Sequence, residues 1–75
     1  MKAKDLTDKT LKDFIDAITD WHTSGVLKSD AFRKSAEKRY PSNVQALQVY
    51  EGDVLIEAGR RFSKMVEEGR GSKMW

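Results

Sequence analysis

The sequence predicts an all-α fold of three helices, two short ones packed along a long third, with the chain assembling as a dimer. Three observations carry that prediction. The apolar residues between positions 42 and 69 hold one angular phase at about 100° per residue, Gly25 and Pro41 punctuate the chain where two earlier amphipathic stripes stop, and a serine or threonine stands at the head of each stripe. The helices are expected near residues 7–24, 29–40 and 42–68.

The long helix is the organising element. On a helical wheel Val44, Leu47, Val54, Leu55, Ala58, Phe62, Met65 and Val66 fall within an arc of roughly 120°, which reads as the stripe that faces the core. A second set, Val49, Gly52, Ile56, Gly59 and Ser63, follows the adjoining flank in alternating steps of three and four. Glycine costs about 1 kcal/mol in a helix interior but lets a second backbone approach closely. This flank, together with Tyr50, is therefore the expected partner or dimer interface: Val49, Tyr50, Gly52, Ile56, Gly59 and Ser63. An alternative α+β reading exists for residues 47–57, where two β-forming stretches flank Gly52-Asp53, a pair suited to a two-residue hairpin turn. The helix is preferred because the phase runs through Gly52 without a reset.

The first helix starts with Thr7 as N-cap, Asp8 at the positive end of the helix dipole, and Leu6 and Leu11 placed to form a hydrophobic staple. Leu11, Phe14, Ile15, Ile18, Trp21 and His22 make its stripe, and Gly25 suits the left-handed residue that ends it. Ser29 caps the second helix, whose thin stripe is Phe32, Ala36 and Tyr40, and Pro41 closes it. Ser42-Asn43-Val44-Gln45 matches a capping box and opens the third.

One domain spanning residues 1–75 is expected, with 1–5 and 70–75 as flexible tails. A chain of 75 residues buries only about 60% of its unfolded surface, which favours association. There is no cysteine, so neither a disulfide framework nor a thiolate site is available. No stretch has the apolar length of a signal peptide or membrane span, and the expected location is cytoplasmic. The net charge of +2 does not by itself call for nucleic acid. The charges are nonetheless segregated. Residues 5–20 carry five Asp against two Lys, whereas residues 28–39 carry five basic against two acidic side chains.

Candidate chemistry is sparse. His22 is the single histidine and has no second His or Cys to complete a metal or catalytic set, so a packed, amphipathic role is expected. Asp13 and Asp16 are interleaved with Lys9 and Lys12, and Glu57 with Arg61 reads as a solubilising pair on an outer face. No phosphate-cradling loop or nucleophile elbow is present, and no cofactor, metal or enzymatic activity is expected. Lys28, Arg33, Lys34, Lys38, Arg39 and Tyr40 form a patch suited to an acidic partner or nucleic acid. A helix-turn-helix can be laid on residues 32–50, but its reading helix would present only Asn43, Gln45 and Gln48, without the arginine or lysine that usually contacts guanine and phosphate. The reading that best accommodates these features is a small non-enzymatic interaction module, a regulator or inhibitor that binds a partner protein. Its general form is that of many phage-encoded or mobile-element accessory proteins. Val49, Tyr50, Ile56, Met74 and Trp75 supply the apolar surface that reading needs. A DNA-binding regulator and a structural or assembly component are the competing readings.

Overall fold

The computed structural model describes residues 2–70, and among them every regular element is helical. Three α-helices follow in order: α1 (Asp8–Ser24), α2 (Asp30–Arg39) and α3 (Ala46–Met65). A 3-10 turn at Ala3–Asp5 precedes them, and a π-helical turn at Val66–Arg70 follows. Because α3 runs unbroken through Gly52 and Asp53, the alternative hairpin over residues 47–57 does not form.

The first two helices begin and end for local reasons. Thr7 Oγ1 accepts the amide of Thr10 at 3.1 Å, satisfying a donor that the helix itself cannot, and Leu6 and Leu11 are both buried beside it. Gly25 sits at φ 81, a conformation that favours glycine, and donates its N–H to Trp21 O at 2.8 Å. At α2, Ser29 Oγ accepts from Phe32 N at 3.1 Å, and the Tyr40 amide closes the last turn on Ala36 O.

The core is built on rings. Phe14 of α1, Phe32 of α2 and Tyr50 of α3 touch one another, with centroids 5.4, 5.6 and 6.3 Å apart and planes crossed by 57–85°. Ile18, Ala36 and Val54 are buried around the rings, Ala3, Leu6 and Leu11 extend the core, and Trp21 and Leu27 pack against it. Crossed rings at this separation add about 0.5–1.5 kcal/mol per pair beyond the burial of their area.

Three expectations are corrected here. The capping box at Ser42 does not form, and α3 starts four residues later at Ala46. Residues 41–45 are spent reversing the chain between α2 and α3: Ser42 adopts φ 63, Tyr40 O accepts from Asn43 N, and Asn43 Oδ1 accepts the Gln45 amide at 2.8 Å. Val44, expected in the core stripe, lies in this reversal and is 98% exposed. Second, α3 is rotated about its axis. Its buried residues are Ala46, Tyr50, Val54 and Glu57, an arc displaced by roughly a quarter turn from the expected stripe on a wheel drawn at 3.6 residues per turn. Leu55, Phe62 and Met65 are left exposed as a result. Third, residues 2–5 are not a loose tail: Ala3 and Leu6 are buried, and the turn between them is held by Leu6 N–H to Ala3 O at 3.1 Å. The expected tail at 70–75 lies outside the described residues apart from the backbone of Arg70.

Phe32 is fully buried and touches Phe14, Trp21 and Tyr50. Phe32→Ala is expected to cost about 3–5 kcal/mol, comparable with the whole stability of a domain this small. Urea unfolding followed by far-UV circular dichroism measures it, and a loss below about 1 kcal/mol contradicts the ring cluster as the centre of the core.

Candidate protein interface

The α3 helix presents three surfaces that differ in chemistry. Its inward side meets the ring cluster and then, one turn on, a charged junction. Glu57 is only 5% exposed, and its carboxylate accepts from Arg60 Nη2 at 2.7 Å and from Arg61 Nε at 2.6 Å. Arg61 extends across the chain to donate to Leu6 O at 2.6 Å, Lys4 O at 3.3 Å and Asp8 Oδ1 at 2.8 Å. A buried carboxylate persists only when paired and hydrogen-bonded, and this one meets both conditions. The expectation that Glu57 and Arg61 form a solubilising outer pair is therefore corrected: they bind the N-terminal turn and the head of α1 to α3. The signal that reveals this in the sequence is helical phase, since Glu57 lies seven residues from Tyr50 and shares its face.

The second surface is a groove of about 620 Å³ between the start of α1 and the last turns of α3. Leu11, Ile15, Ala58, Phe62 and Met65 line it, with Lys12, Lys64 and Glu68 at its edges. Phe62 is 62% exposed and Met65 50%. The third surface is the small-residue flank. Ile56 is 73% exposed, Val49 37%, and Gly59 and Ser63 are open to solvent, with Gly52 half-buried. A Cβ added at Gly52 or Gly59 would meet nothing within 4 Å, so nothing among the described residues explains glycine there. Leu55, also exposed, lies between the second and third surfaces.

Tyr50, expected at the interface, is instead fully buried. Burial pushes its hydroxyl pKa up, opposed by its hydrogen bond with Ser35. Of the five other interface candidates, Val49, Gly52, Ile56, Gly59 and Ser63 share one side of α3. Met74 and Trp75 lie outside the described residues.

The structure divides the basic patch. Lys28 pairs with Asp20 at 3.7 Å, and Arg33 donates to Leu27 O at 3.4 Å. The Arg39 guanidinium stacks over the Tyr40 ring at 4.7 Å, while the Tyr40 hydroxyl donates to Asp53 and its pKa is raised by that bond. Lys34 and Lys38 line a separate cleft with Asp5 and Thr10. Asn43 and Gln45, expected on a DNA-reading helix, lie in the reversal before α3.

His22, expected to be packed, is instead exposed and bonds to Glu51 of α3. Among the described residues no group of three or more His, Cys, Asp or Glu side chains could hold a metal ion, and no helix is long and apolar enough to cross a membrane. Comparison with family models, with curated proteins and with solved structures finds no match to this chain.

The Glu57 junction predicts acid sensitivity. Hydrogen bonds from Arg60 and then Arg61 lower the Glu57 pKa from 4.5 to about 2. A carboxylate held lower in the folded than in the unfolded chain contributes stability that is complete above the unfolded value and is lost as the pH falls through the folded one. The melting temperature is expected to fall as the pH drops from 4.5 toward 2, and Glu57→Gln is expected to remove that part of the pH dependence while lowering stability at pH 7. Parallel pH profiles for the two proteins reject the assignment.

Proposed function

We propose that this protein is a small non-enzymatic interaction module, a regulator or inhibitor that acts by binding a partner protein. The observation that carries the reading is the rotation of α3, which leaves Leu55, Phe62 and Met65 exposed on a continuous helix next to a groove floored by Leu11 and Ile15. Leucine, phenylalanine and methionine at helical spacing are how a groove takes the apolar face of another helix. Aromatic and methionine side chains are also enriched at the centres of protein interfaces.

The same reading assigns the small-residue flank to a second copy of the chain. Val49, Gly52, Ile56, Gly59 and Ser63 would form a homodimer seam in which the glycines allow close approach of the paired α3 helices. A chain of 75 residues gains most from such pairing, because on its own it buries so small a share of its surface. With the seam closed, the groove side remains available to the partner, so dimerisation and function occupy different sides of one helix.

Two substitutions separate the roles. Ile56→Asp is expected to dissociate the dimer to a single 8.6 kDa species in sedimentation at micromolar concentration. Phe62→Asp is expected to leave that association intact and to abolish capture of the partner from the native host. Both positions are exposed in the single chain, so both variants should keep their helical circular dichroism. A parent protein that sediments as a monomer refutes the seam. Partner capture that survives Phe62→Asp refutes the groove, and a dimer that captures nothing favours a structural component.

A further inference from the structure

The ion pairs of this chain are unevenly placed. Lys9 is matched by Asp13 at 3.1 Å, Lys12 by Asp16 at 2.8 Å, and Lys28 by Asp20, while Arg60 and Arg61 share Glu57. Of the cations that take part in none of the ion pairs among the described residues, Arg33 donates to the Leu27 carbonyl and Lys64 stands at the groove beside α3, and the other five are Lys2, Lys4, Lys34, Lys38 and Arg39. The fold gathers these five cations. The N-terminal turn lies beside α2, so that Lys2, Lys4 and Arg39 rim one cleft and Lys34 and Lys38 line the next, both clefts sharing the turn. Lys34 and Lys38 stand one helical turn apart, about 6 Å along the axis.

The neighbouring carboxylates cancel this charge only in part. Glu57 is held by two guanidinium groups, whereas Asp53 accepts from the neutral Tyr40 hydroxyl and keeps its charge within the first cleft. Asp30 and Glu37 stand four positions before and three after Lys34 on α2 and offset part of its charge, whereas Lys38 lies on the flank of Ala31 and Ser35 that faces the turn. Asp5 alone sits within the second cleft. The apolar residues of that cleft, Leu6 and Phe14, are buried, and Ile56 rims only the first. A protein partner wants an apolar centre ringed by polar groups, whereas a phosphate backbone is met by cations together with hydroxyl and amide donors.

We infer that the surface formed by the N-terminal turn and α2 binds the phosphate backbone of nucleic acid without reading its bases. Lysines supply four of the five charges, and a lysine is a point charge that tracks phosphates rather than a fork that discriminates base edges. The inference rests on charge placement and not on the apolar groove, so either can fail without the other.

Fluorescence anisotropy of a labelled duplex of about 20 base pairs tests it, since backbone binding weakens log-linearly with salt. Binding is expected at ~50 mM NaCl. With about five phosphates neutralised, the log–log slope should lie near −4.5, a loss of roughly 500-fold between ~50 and ~200 mM. A duplex of scrambled sequence should bind within about twofold. Lys34→Gln with Lys38→Gln should lower the slope by about 2, and so should Lys2→Gln with Lys4→Gln, which leaves α2 untouched should the first variant fail to fold. Lys9→Gln with Lys12→Gln, on the paired face of α1, should change little. No binding at the lowest salt, a slope shallower than about −1, or an equal loss in the α1 variant overturns the proposal. Displacement of the duplex by polyglutamate at equal charge concentration also overturns it and assigns the surface to an acidic protein.

Discussion

Everything in this fold hangs on the mutual contact of Phe14, Phe32 and Tyr50. Each helix contributes one ring, so no helix can leave the other two without breaking two of the three contacts. The rings also set direction. Tyr50 can enter the cluster only if α3 turns its tyrosine face inward, and the hydrogen bond between Ser35 and the tyrosine hydroxyl satisfies the one polar atom that this burial takes from water.

That orientation explains features that otherwise look contradictory. Turning α3 so that Tyr50 and Val54 point inward carries Glu57, one further turn along, beneath the N-terminal segment, where a carboxylate can survive only between two guanidinium groups. The same rotation lifts Leu55, Phe62 and Met65 out of the core. A buried charge and exposed apolar residues on one helix thus have one cause. The helix has been positioned by a ring, not by the sum of its hydrophobicity.

Local signals were legible in the sequence because local physics produces them. Thr7, Gly25 and Ser29 act within a turn of themselves, and each sits where its backbone requirement placed it. The stripes of α1 and of α2 likewise match the buried Leu11, Phe14, Ile18, Phe32 and Ala36. What stayed hidden depended on distant residues. Ser42-Asn43-Val44-Gln45 carries a good capping pattern, yet the same four residues were needed to reverse the chain after Pro41, and the tertiary demand prevailed. The wheel of α3 weighed Leu55, Phe62 and Met65 as core because it could not know that Tyr50 would anchor the helix. Of the candidate site, Ile56, Val49 and the glycines were readable as an outward flank, whereas the gathering of Lys2 and Lys4 beside Arg39 needed the docked turn to be seen.

The contacts of Arg61 with Lys4, Leu6 and Asp8 join residues 53 to 57 positions apart, nearly the full span of the described chain. Such contacts impose an order on synthesis. The caps of α1 and α2 close as soon as each helix emerges, but the carbonyls of Lys4 and Leu6 must wait until position 61 has been made, roughly 3 to 10 s later at typical elongation rates. For most of that interval Ala3 and Leu6 have no α3 to cover them, since its first residue is Ala46. The turn at Ala3–Asp5 is thus made well before the residue that secures it, and a nascent chain stalled before Arg61 presents that turn without its anchor.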